Sequence, residues 1–141
     1  MLLGALRWWE YVTIYSQGLN IAMNEAELKE LCREWQSFLG LAHWRIDVLF
    51  VRGVEIENNR AQIDYDYTGE SAIIRIRDPV DHHGYFPFDA EQSLVHELLH
   101  VVFDIPAELA GKDIGLPLEQ RIDRLARVLV KLKRGGDEFF K

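Results

Sequence analysis

Asp89-Ala90-Glu91-Gln92-Ser93-Leu94-Val95-His96-Glu97-Leu98-Leu99-His100-Val101-Val102-Phe103-Asp104 reads as one helix with a polar seam. Leu94, Val95, Leu98, Leu99, Val101 and Val102 make most of its circumference apolar, as expected of a helix lying inside a core. Asp89 suits the N-cap, Gln92 three residues on completes a capping box, and Pro106 stops the run. What remains is a stripe of Ser93, His96, Glu97, His100 and Asp104, whose spacing puts these side chains on one face. A solvated helix face ordinarily mixes long cations with acids. This stripe holds imidazoles and carboxylates and no Lys or Arg, a composition that points to a site.

Within it, His96-Glu97-Leu98-Leu99-His100 has the form H-E-x-x-H. Histidines four apart lie one helical turn above each other, so both imidazoles can converge on one tetrahedral metal. Glu97 sits on the same side, placed to take a proton from a metal-bound water without ligating the metal. A catalytic zinc needs a third protein ligand and keeps its fourth position for water. No histidine follows His100, so a downstream ligand is an acid: Asp104, Glu108, Asp113, Glu119 or Asp123. Glu119 is favoured because it opens the last predicted helix, Pro117–Lys133. The apolar positions Leu118, Ile122, Leu125, Ala126, Leu129 and Leu132 of that helix follow the helical period. Glu119 and Asp123, four apart, border that apolar face and repel each other mildly; a cation or a histidine N–H between them removes the cost.

His96–His100 followed after a gap by Glu119-Gln120-Arg121-Ile122-Asp123 resembles the gluzincin arrangement, H-E-x-x-H and then E-x-x-x-D on a second helix. The resemblance implies Glu119 as the third zinc ligand and Asp123 as the residue that hydrogen-bonds a zinc-binding histidine and fixes its ring. The metzincin pattern does not fit, since it requires Gly at 103 and a ligand at 106, where this chain has Phe103 and Pro106. Together with element order and length, the two motifs resemble small minimal zincins, the SprT-like and ImmA/IrrE-like metallopeptidases of bacteria and phages, over about Asn24 to Lys133. The resemblance implies one Zn²⁺ held by His96, His100 and Glu119, with Glu97 as general base in peptide-bond hydrolysis. It also implies an edge strand beside the motif helix that pairs with an extended peptide. His82, His83 and Tyr85, just before the motif helix, are candidate oxyanion donors, and His43 reads as structural.

The rest of the chain supplies the scaffold. Asn24–Leu39 reads as a capped helix ended by Gly40, with Asn24 as N-cap and Glu27 at the box position. Trp44–Val51, Ala61–Tyr67 and Ser71–Arg77 alternate like strands, and the short links between them favour an antiparallel meander. The expected fold is α+β: a small, mostly antiparallel sheet of about three strands, packed against an N-terminal helix, the motif helix and a C-terminal helix. Residues 23–141 form the predicted metallopeptidase domain and 1–22 an N-terminal extension. That extension is aromatic, with Trp8, Trp9, Tyr11 and Tyr15, and lacks the basic start and cleavage site of a signal peptide.

Bulk properties narrow the function classes. The net charge of −7 argues against a general nucleic-acid surface. The single cysteine, Cys32, excludes an internal disulfide framework and fits a reducing cytoplasm; its place on a helix reads as packing. No membrane span is expected, and the partner is a protein or peptide substrate. Two rival readings are a zinc-binding, non-catalytic interaction domain and a DNA-associated SprT-like protease. The first leaves Glu97 without a duty. The second has only Arg121, Arg124, Arg127, Lys131, Lys133 and Arg134 on the last helix to hold nucleic acid.

Overall fold

The computed structural model describes residues 23–81, 88–104 and 115–135; the expected N-terminal extension, residues 1–22, lies outside them. Helix α1 (Glu25–Phe38) is followed by strands β1 (Arg45–Val51), β2 (Ala61–Asp66) and β3 (Ser71–Arg77), then by helices α2 (Ala90–Phe103) and α3 (Gly115–Gly135). The described residues adopt the expected α+β class, with three strands and three helices among them.

Local chemistry accounts for the helix ends. Asn24 caps α1 by accepting from the Glu27 N–H, and the Glu27 carboxylate returns a bond to the Asn24 N–H. Gly40, at φ +74, takes the left-handed position that turns the chain out of this helix. Asp89 caps α2, accepting from the Gln92 N–H at 3.0 Å. That helix stops at Asp104, which is itself left-handed (φ 48) and donates its N–H to the His100 and Val101 carbonyls, so the stop precedes Pro106. Helix α3 extends two residues beyond each predicted end. Pro117 sits in its first turn, where a missing N–H costs nothing.

The sheet departs from a meander. β2 and β3 form the expected antiparallel hairpin, but β1 runs parallel beside β3, and the order is β1-β3-β2. The physical reason lies in composition. β3 buries Ala72, Ile74 and Ile76 on one face and takes the centre, whereas β2 alternates half-buried Ala61, Ile63 and Tyr65 with exposed Gln62, Asp64 and Asp66. A strand with that much polar edge is tolerated at a margin, not in the middle. Residues 52–60 between β1 and β2 include a 3-10 turn and two left-handed residues, Glu57 and Asn58. They carry the chain past the place that β3 later fills.

Helix α2 is the centre of the molecule. It packs on β2 and β3 and also touches α1 and α3. Leu94, Val95, Leu98, Leu99 and Val101 are buried with Leu28, Trp35, Val48, Ile74, Ile76, Ile122, Ala126 and Val130 in one core. Cys32 belongs to that core; burial pushes its thiol up to about 12, so it packs and does not react at neutral pH.

A buried ionic clamp ties the start of α2 to the end of α3. The Glu91 carboxylate accepts from Trp35 Nε1 at 2.8 Å, Lys133 Nζ at 2.7 Å and Arg134 at 2.9 Å, and Arg134 also makes two bonds to Asp89. Burial alone would raise the pKa of Glu91, but the bonds from Lys133, Trp35 and Arg134 hold it below the usual value. Glu91→Ala should therefore cost about 2 kcal/mol, because the buried Trp35 N–H loses its acceptor and Lys133 its nearest partner, while Arg134 keeps Asp89. Urea denaturation checks this, and a loss under about 0.5 kcal/mol would mean that the cations re-pair in water.

Candidate metal centre

The clamp holds α3 against α2, and midway along the pair the two helices present the site. His96 and His100 lie one turn apart with their rings 5.3 Å apart. Glu119, in the second turn of α3, reaches both: His96 Nε2 is 2.9 Å from one carboxylate oxygen and His100 Nε2 is 2.7 Å from the other. Asp123, a turn further on, faces the other ring nitrogen, Nδ1 of His96, at 3.5 Å and is bound from the outside by Arg127 at 2.6 Å. His100 is buried, while His96, Glu119 and Asp123 are half-buried at the edge of solvent.

The donor atoms of His96, His100 and Glu119 lie within 4.8 Å of one another, so this trio can hold a metal ion. Both imidazoles direct Nε2 at the same carboxylate, the convergence a shared ion requires. Asp123 stands behind His96, where a carboxylate orients a ligating ring. The structure thus brings Glu119 and Asp123, from the last helix, to the two motif histidines. Asp104 is at the end of α2, where the Tyr65 hydroxyl donates to it at 3.2 Å, and it is not in the trio. Glu108, Asp113, His82, His83 and Tyr85 lie outside the described residues. His43 is exposed, with its Nε2 2.8 Å from a Glu70 carboxylate oxygen, and it is not in the trio.

A cleft of about 470 Å³ opens over the trio. One wall is helical, with Gln92, Ser93, His96, Glu97, His100, Glu119 and Asp123. The other is β2 and the turn before it, with Arg60, Gln62, Ile63 and Tyr65. This second wall was not assigned to the site from sequence. The alternation of Ile63 and Tyr65 with Asp64 and Asp66 marks a strand, but which strand flanks the motif helix depends on strand order.

Glu97 is buried beside the trio. Burial, and then the negative charge of Glu119, push its carboxyl up to about 8. The stability consequence has a definite sign. Between its ordinary value of 4.5 and about 8 the folded protein keeps a proton that the unfolded chain has lost, so stability falls as pH rises through that window and levels off above it. The loss in metal-free protein is of the order of a few kcal/mol. Denaturant midpoints of chelator-treated protein should decline from about pH 5 to about pH 8. Glu97→Gln should flatten the decline; an equally steep fall in that variant would assign the slope to other groups.

Compared with protein-family models, curated proteins and solved structures, the chain matches none. No helix among the described residues is long and apolar enough to cross a membrane.

Proposed function

We propose that this chain is a zinc-dependent peptidase. The observation that carries the reading is a buried carboxyl, Glu97, set next to a His₂Glu trio and opening on the same cleft. A purely structural metal site gives such a group no task, whereas a carboxyl beside a metal-bound water can take up and return its proton.

The donor set fits zinc. Two imidazole nitrogens and one carboxylate form a common catalytic zinc set, and the absence of any second cysteine leaves no thiolate alternative. The donor atoms of His96, His100 and Glu119 already lie within 4.8 Å of one another, so these three residues would hold the ion. Zn²⁺ held there would acidify a water molecule towards about pH 7 and polarise the scissile carbonyl. Glu97 accepts the proton of the attacking water and passes it to the nitrogen of the leaving amine, so one water is consumed and one acid and one amine are formed. Asp123 keeps the His96 ring turned inward. On the opposite wall, β2 is an edge strand among the described residues, with β3 on its inner side. An extended peptide can add to its outer side by main-chain hydrogen bonds, which would draw the backbone across the cleft.

Elemental analysis should give one zinc per chain, and an unstructured protein such as casein should be cleaved. Chelation should stop the cleavage and added zinc restore it. Stoichiometric zinc without cleavage of any unstructured protein would sink the peptidase reading in favour of a non-catalytic zinc domain.

A further inference from the structure

The outward side of α3 carries Arg121, Arg124, Arg127 and Lys131, all exposed. Its only acids, Glu119 and Asp123, face the motif histidines. Arg127 bonds Asp123, and Lys133 and Arg134 are taken up by the Glu91 clamp. Arg121, Arg124 and Lys131 make no ion pair among the described residues. In a chain of net charge −7 this face is a local inversion of sign. It is also self-repelling, because Arg121, Arg124, Arg127 and Lys131 are spaced by three or four residues. Favourable interaction with the helix dipole is confined to the last turn, so it does not reward Arg121 or Arg124.

The position of the row gives it a use. Residues 119, 123 and 127 form one line along the helix; the first two line the cleft, and Arg127 continues that line at the rim. Lys131 and Arg124 lie next to it around the helix. Across the cleft stands Arg60, exposed and without an ion pair among the described residues. The charged side chains that α3 exposes beyond the cleft are all cations, with Gln120 and Val128 exposed among them.

We propose that this face binds a short acidic segment of the polypeptide entering the cleft, so that the preferred substrates carry Asp or Glu flanking the cleaved bond. The row from Arg124 to Lys131 is about 10 Å long, which matches about three extended residues. A long phosphate polyanion fits less well. It would run past the row onto an acidic protein, and the row offers no aromatic ring for base stacking. The substrate role rests on the peptidase reading, while the binding does not.

The test is fluorescence anisotropy with the full chain, zinc-loaded and carrying Glu97→Gln to suppress turnover. Two labelled peptides of equal length are compared, one with an Asp/Glu run and one with Asn/Gln in its place, alongside a short single-stranded DNA. The acidic peptide should bind in preference, and Arg124→Glu with Lys131→Glu should weaken it about tenfold. Raising salt from about 0.05 M to about 0.3 M should weaken it as well. Equal binding of the two peptides, or indifference to the charge reversals, overturns the proposal. DNA binding lost on reversal, with no preference for the acidic peptide, also overturns it and gives the face to nucleic acid. Zinc content of the same samples should be unchanged by the reversals, and casein cleavage by the chain with Glu97 intact reports separately on the peptidase reading.

Discussion

Glu97→Gln should leave zinc bound at full stoichiometry and lower the rate of peptide hydrolysis by about 10³-fold or more. The two halves of this result come from different features of the site. Glu97 is outside the His96, His100 and Glu119 trio, so its loss removes no ligand. Its carboxyl is buried beside the trio and lines the same cleft, where it can accept and return a proton, which a carboxamide cannot do. The substitution preserves volume and should not open a cavity. Metal-free Glu97→Gln should be no less stable than wild type at pH 8, because the charge that is costly to bury has gone. Turnover equal to wild type would remove Glu97 as the base and leave the rest of the site standing.

Glu119→Ala should weaken zinc binding by at least about 10²-fold, more than the loss of a residue that only orients a ligand. Glu119 reaches both histidines, at 2.9 Å and 2.7 Å. Without it, zinc keeps two protein ligands and the histidines lose their shared partner. Asp123→Ala supplies the internal comparison, since Asp123 touches only His96. That variant should lose about 10- to 100-fold. Competition with a chelator of known affinity measures both. If Glu119→Ala binds zinc as wild type does, the third ligand lies elsewhere, and Glu108 and Asp113 become the residues to change.

The parts of this site that are legible in sequence are those set by local geometry. The i,i+4 spacing of His96 and His100 puts them on one helix face whatever surrounds the helix. The side-chain caps at Asn24 and Asp89 are likewise local, and both helices begin where these residues indicate. The pairing of Glu119 with that face was reached through a resemblance of motifs. The structure supplies what spacing alone leaves open, since the packing of α3 on α2 brings in a residue twenty-three positions from His96.

Strand order is a different matter. Short links and alternation suit a meander and the observed arrangement equally well at the level of single strands. The choice was made by competition for the central place, where the Ile-rich face of β3 displaces the Asp-bearing β2 to the margin. That exchange puts β2, the marginal strand of the described sheet, opposite the motif helix, where it forms the second wall of the cleft.

By itself, then, the sequence determined the α+β class, the extent of the helices and strands to within two residues, and the polar seam on a core helix. These follow from periodicity and capping, which act over a few residues. Tertiary structure alone decided that β2 faces the seam, that Glu119 bridges both imidazoles and that Glu97 is buried enough to hold its proton to about pH 8. Each of these depends on desolvation and contact between segments far apart in the chain, and neither is written in the spacing of residues along it.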